Sequence, residues 1–122
     1  MKPDLKYIHS PEVDDLKTYS PNEYNNFCLL VQAMIGLPND ESGESFDFLI
    51  CTPKWIETLL EREKFIFGKG YIVIQEYHYN IIFEIIQDLC DRISGDNWIT
   101  IATKLGRYGL WEFEDFDPIN KK

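Results

Sequence analysis

The chain is short of positive charge. It has 12 Lys and Arg against 21 Asp and Glu, a formal net charge of −9. Binding of nucleic acid draws on basic groups that displace counterions, and docking on an anionic membrane makes the same demand. Both partner classes are set aside. A basic protein partner fits the charge, because complementary fields speed encounter and reject wrong partners. Plain solubility explains the same acidity. No apolar run approaches the length of a membrane span. Met1 to Asp15 is mixed and charged, without the regions of a secretory leader, so the expected compartment is the cytoplasm.

Residues that carry chemistry are also scarce. The three cysteines, Cys28, Cys51 and Cys90, are odd in number and widely spaced. That pattern suggests neither a disulfide framework nor a metal knuckle. Each lies in an apolar run and reads as a buried small hydrophobe. His9 and His78 are the only histidines, and no set of three zinc ligands is visible around them. Gly68-Lys69-Gly70 lacks the strand-before, helix-after context of a phosphate loop. No serine elbow or Cys–His nucleophile arrangement is recognisable. No cofactor or metal is expected. Glu112 and Glu114, placed on one face of a last strand, could form an acid–base pair, but a solvated acidic face explains them better, because nothing else resembles a sugar-binding cleft. The reading is a binding protein and not an enzyme, with a small acid–base enzyme or a self-associating structural domain as alternatives.

What the chain does have is apolar bulk. Its 122 residues are 44% hydrophobic and include eight Phe, seven Tyr and three Trp. That suits one domain over residues 1–122, with a short polar tail from about 118. Asp4 to His9 reads as an edge strand in which Leu5, Tyr7 and His9 share a face. Ser10 to Asn26 is an irregular connection. Phe27 to Ile35 is a central strand buried on both faces, and the turn-rich loop after Gly36 joins it to a strand over Ser45 to Cys51. Thr52-Pro53 supplies an N-cap and a first-turn proline for a helix to about Lys64. A strand follows over Tyr71 to Tyr77, then a helix from about Tyr79 to Ile93, where Ile82, Ile85, Ile86 and Leu89 recur at helical spacing. Asp96 caps a third helix that Gly109 ends. Leu110 to Phe116 alternates apolar and acidic residues as a last strand or extended tail. The fold class is α+β: a mainly antiparallel sheet of about four to five strands with about three helices packed on it.

The acids are unevenly spread. Thr18 to Pro53 contains no Lys or Arg, and neither does Tyr108 to Asn120. Such stretches make negative lobes wherever their side chains meet water, and nearby aromatics supply anchors for a partner. Asp40, Glu41, Glu44, Glu112, Glu114 and Asp115 are the candidate partner contacts.

Several segments also resemble a known family. They are LKYIHSPEV (Leu5 to Val13), QAMIG (Gln32 to Gly36), ESFDFLICTPKWI (Glu44 to Ile56) and GDNWITIATKLGRYGLWEFEDF (Gly95 to Phe116). Together they resemble the immunity protein 8 family of bacterial polymorphic toxin systems. The resemblance implies an α+β protein that binds a cognate toxin domain and protects the producing cell. Many such toxins are basic nucleases, which an acidic inhibitor suits. The resemblance carries over no binding residues.

Overall fold

The most apolar run of the chain lies at the centre of its sheet. The structure, a computed structural model, describes residues 1–114. Strands β1 (Asp4–His9), β2 (Cys28–Gly36), β3 (Glu44–Cys51) and β4 (Tyr71–Val73) are ordered β1-β2-β3-β4, and β5 (Leu110–Trp111) also pairs with β3. Among the described residues all pairings are antiparallel except β3 with β4, which is parallel. That parallel step needs a crossover, and α1 (Pro53–Glu63) supplies it. Two further helices follow, α2 (Tyr79–Arg92) and α3 (Trp98–Leu105). The expected class is therefore the observed one, five strands and three helices among the described residues.

One face of the sheet carries the core. Leu29, Val31, Ala33 and Ile35 of β2 and Phe46, Phe48 and Ile50 of β3 are buried in one cluster with residues of α2 and α3. Alternation puts their neighbours on the other face, and there Leu30, Gln32, Met34 and Leu49 are only half-buried. This corrects the expectation that β2 is buried on both faces. A continuous apolar run cannot distinguish a doubly covered strand from a strand whose second face is merely apolar.

The hairpin β2–β3 runs in register from Cys28↔Cys51 to Ile35↔Glu44. At β1 the register slips between Leu5 and Tyr7. The irregularity separates two residues expected on one face: Leu5 packs against the core and Tyr7 is exposed. Strand β4 stops at Val73, short of the expected Tyr77. Beyond it, Tyr77 donates its hydroxyl to the Leu16 carbonyl at 2.6 Å and packs edge-on against Tyr19 and Phe27. This anchors the irregular segment between β1 and β2.

Helix α1 begins where Thr52-Pro53 predicts, but the Thr52 side chain does not cap it. Fully buried, the Thr52 hydroxyl accepts the Phe27 backbone N–H at 3.2 Å. None of the α1 residues is buried. Helix α3 is capped by Asn97, not Asp96: its side chain accepts the Thr100 N–H at 2.9 Å. The helix ends at Leu105, before Gly109. Gly109 has a different task, since a Cβ there would lie 2.7 Å from Phe48 Cζ.

Candidate partner-binding surface

The two acidic stretches are far apart in sequence and meet in space through β5. Trp111 pairs with Phe46 and Leu110 with Asp47. Phe46 is completely buried. Trp111 stacks on it at 6.1 Å and 11°, and Trp98 meets it edge-on at 6.2 Å. This aromatic packing fixes the last strand against β3 and sets the carboxylates around it.

Three of those carboxylates serve the fold directly. Glu44 Oε1 accepts the Trp111 indole N–H at 2.8 Å. Glu112 Oε1 accepts the Ser45 backbone N–H at 2.7 Å, while the Glu112 N–H donates to the Ser45 carbonyl at 3.2 Å. Both Glu114 oxygens accept from Lys69 Nζ at 2.8 Å. Asp40 organises the hairpin turn, accepting the Ser42 hydroxyl at 2.8 Å and the Ser42 N–H at 2.9 Å. These bonds favour its charged form and hold its pKa below the ordinary carboxylate value, the hydroxyl contributing most. Glu41 is exposed and enters no hydrogen bond or ion pair among the described residues. Asp115 lies outside the described residues.

Asp40 and Glu44 line one small cleft of about 130 Å³ with Ile35, Leu37 and Trp98. The Trp98 indole N–H is buried with no hydrogen-bond partner among the described residues. Glu112 adjoins this cleft through its bonds to Ser45, next to Glu44. Glu114 is turned towards Lys69.

One expectation is corrected here. Strand β5 ends at Trp111 and residues 112–114 form a turn, so Glu112 and Glu114 do not share a strand face. Each carboxylate has its own partner instead of facing the other across a cleft. A lysine from another strand also reaches the acidic surface. Lys6 donates to the Leu37 carbonyl at 2.9 Å and lies 3.5 Å from Asp4, and its charge also favours ionised Asp40. Runs without Lys or Arg along the chain do not exclude a lysine that arrives from another strand.

Other features were not foreseen. Asp47 holds Gln32 and Ser45, each at 3.1 Å, on the sheet face away from the core. Glu12 Oε1 accepts the Leu30 N–H at 2.7 Å, beyond the end of β1. Phe65 and Phe67 are 64% and 84% exposed and contact each other edge-on at 5.6 Å. Their sequence signal is faint, an apolar–apolar–apolar step after a charged helix end. His9 is exposed beside Tyr7, and His78 Nε2 lies 2.8 Å from Glu76.

Residues 3–116 match the family described as Immunity protein 8. The chain belongs to the immunity protein 8 family. No curated protein and no solved structure matches it. The family match runs from the strand before β2 through the aromatic packing around Trp111, so the Trp98–Phe46–Trp111 arrangement lies wholly within the matched span. Family membership implies a toxin as partner. Among the described residues no helix is long and apolar enough to cross a membrane, and no group of three metal-ligating side chains is found.

Proposed function

We propose that the protein binds a cognate toxin domain stoichiometrically and neutralises it in the cytoplasm of the producing cell. Membership of the immunity protein 8 family over nearly the whole chain carries this reading. The charge of −9 supports a basic toxin, such as a nuclease whose phosphate-binding cleft the inhibitor covers. The contacts assigned to the partner are Asp40, Glu41, Glu44, Glu112, Glu114 and Asp115. Glu41 is the freest of the described ones. Glu44 and Glu112 are held in place by Trp111 and Ser45, which lowers the entropy lost on binding. Co-expression with the toxin encoded upstream tests the reading. Growth is expected to be rescued, and a complex to survive gel filtration. Unrescued growth with no complex overturns it.

A second reading rests on Phe65 and Phe67, whose exposure is unusual for aromatic side chains. They suit a self-associating surface. Solution mass across a range of concentrations separates a dimer from a monomer.

A further inference from the structure

Cys28 and Cys51 stand directly opposite each other at the open end of the β2–β3 hairpin. Their place in the ladder is fixed by the next pair. The Phe27 N–H donates to the Thr52 hydroxyl and the Thr52 N–H donates to the Phe27 carbonyl, both at 3.2 Å. Hydrogen-bonded and non-hydrogen-bonded pairs alternate along an antiparallel ladder. Cys28–Cys51 therefore occupies a non-hydrogen-bonded position. The Cys51 carbonyl agrees with this, since it points away from β2 and accepts the Ile74 N–H of the segment leaving β4 at 2.9 Å. Such a pair brings the Cα atoms to about 4.5 Å, within the about 4.4–6.8 Å that a disulfide spans. Alternation also puts both thiols on the sheet face away from the packed core.

We propose that Cys28 and Cys51 form a reversible intramolecular disulfide when the folded protein meets a peroxide. The two sulfurs are unequal. Cys51 is completely buried and Cys28 is half-buried, so an oxidant reaches Cys28 first. The hydrogen bond from the Cys51 thiol lowers the Cys28 pKa, against the opposing effects of burial and the Glu12 carboxylate. The same bond, together with burial, raises that of Cys51. An accessible thiol that ionises more readily, beside a second thiol able to resolve it, is the arrangement of a redox-responsive pair.

The chemistry balances with the peroxide as oxidant. The Cys28 thiolate attacks a peroxide oxygen and the O–O bond breaks. One oxygen remains as Cys28 sulfenic acid, and the other leaves as water after taking up the proton that Cys28 lost. The Cys51 sulfur then attacks the Cys28 sulfur. The S–O bond breaks, the S–S bond forms, and the second oxygen leaves as water with the Cys51 proton. The two thiols lose the two electrons that the peroxide gains. Cys90, buried in the core cluster on the opposite face with its pKa pushed up to about 12 chiefly by burial, takes no part.

The test uses the full folded chain and hydrogen peroxide. After oxidation the protein is denatured with a thiol-blocking reagent, and its free thiols and non-reduced peptides are analysed. The three free thiols of the reduced chain are expected to fall to one, Cys90, with a single linked peptide joining Cys28 to Cys51. Dithiothreitol should restore all of them. Cys90→Ser should still form the bridge. Cys51→Ser should leave Cys28 as a trappable sulfenic acid or a higher oxide. Three outcomes overturn the proposal: irreversible oxides of Cys28 with Cys51 still reduced in the unsubstituted chain, a disulfide between copies in its place, or three intact thiols at a peroxide level that oxidises free cysteine completely.

Discussion

The turn end of the β2–β3 hairpin and the segment joining α1 to β4 are built on opposite terms. At the turn end, Phe46 is completely buried between Trp98 and Trp111, and Glu44, Ser45 and Glu112 tie β5 to β3. Three carboxylates there, Asp40, Glu44 and Glu112, have internal hydrogen-bond partners. In α1 no residue is buried, and the chain beyond it exposes Phe65 and Phe67. The charge differs as well. Residues 53–69 carry Lys54, Arg62, Lys64 and Lys69 against Glu57, Glu61 and Glu63, a slight positive excess in an acidic chain. One region spends its aromatics on holding the sheet together, and the other presents them to solvent. Exposed aromatics cost little stability where they sit, so they mark contact surface better than buried ones do.

The buried ring of Phe46 holds the first region together. Phe46→Ala removes a fully buried ring with two aromatic neighbours and should cost about 3–5 kcal/mol in chemical denaturation. Leu59→Ala, at a half-buried position of α1, should cost only about 1 kcal/mol. Equal losses would erase the contrast between the regions. Gly109→Ala comes next. Its Cβ would lie 2.7 Å from Phe48 Cζ and within 3.1 Å of two more ring atoms. Phe48 is itself buried, so the ring has no room to yield. Overpacking of this kind should cost about 1–3 kcal/mol, read as a lowered thermal midpoint.

The third effect is one of pH. The Ser42 hydroxyl and N–H hold the Asp40 pKa below its ordinary value. A carboxylate with a depressed folded pKa adds stability above its unfolded pKa and loses it as pH falls through the folded one. The hairpin turn should therefore loosen on the acid side of the usual carboxylate range. The Ser42 amide resonance is the probe: in the wild type it should shift as Asp40 protonates, and in Asp40→Ala that transition should vanish. A transition that survives in Asp40→Ala would mean another group controls the turn.

The sequence made local features legible and left non-local ones hidden. Thr52-Pro53 marks the start of α1 because a first-turn proline is a backbone property. The fate of the Thr52 hydroxyl is not local: it goes to Phe27, 25 residues back. The Ile82, Ile86 and Leu89 stripe is legible because period alone decides which face is buried. Strand β4 is shorter than expected because its partner β3 ends at Cys51, opposite Val73, just before α1 begins. Asn97 displaced Asp96 as cap by one residue, within the usual ambiguity of helix ends. The candidate surface divides the same way. Acid-rich stretches are visible in one dimension, and β5 does bring Glu44 and Glu112 together. The neutralising reach of Lys6 and Lys69 and the facing thiols of Cys28 and Cys51 depend on how distant segments are brought together, which residue spacing does not encode.

In the second region a substitution should barely change stability. Phe67 is 84% exposed, and among the described residues its one ring contact is with Phe65, itself mostly exposed. Phe67→Ser removes little buried area, so folding stability should stay within about 0.5 kcal/mol of the wild type. Any larger loss would show that the ring is covered in solution. A second copy covering it would make the loss depend on protein concentration, because association stabilises the folded state by mass action. Denaturation curves of wild type and Phe67→Ser at two widely separated concentrations therefore discriminate. Curves that coincide for both proteins leave the ring free for a partner, whereas a wild-type curve that rises with concentration, and a Phe67→Ser curve that does not, assigns the patch to self-association.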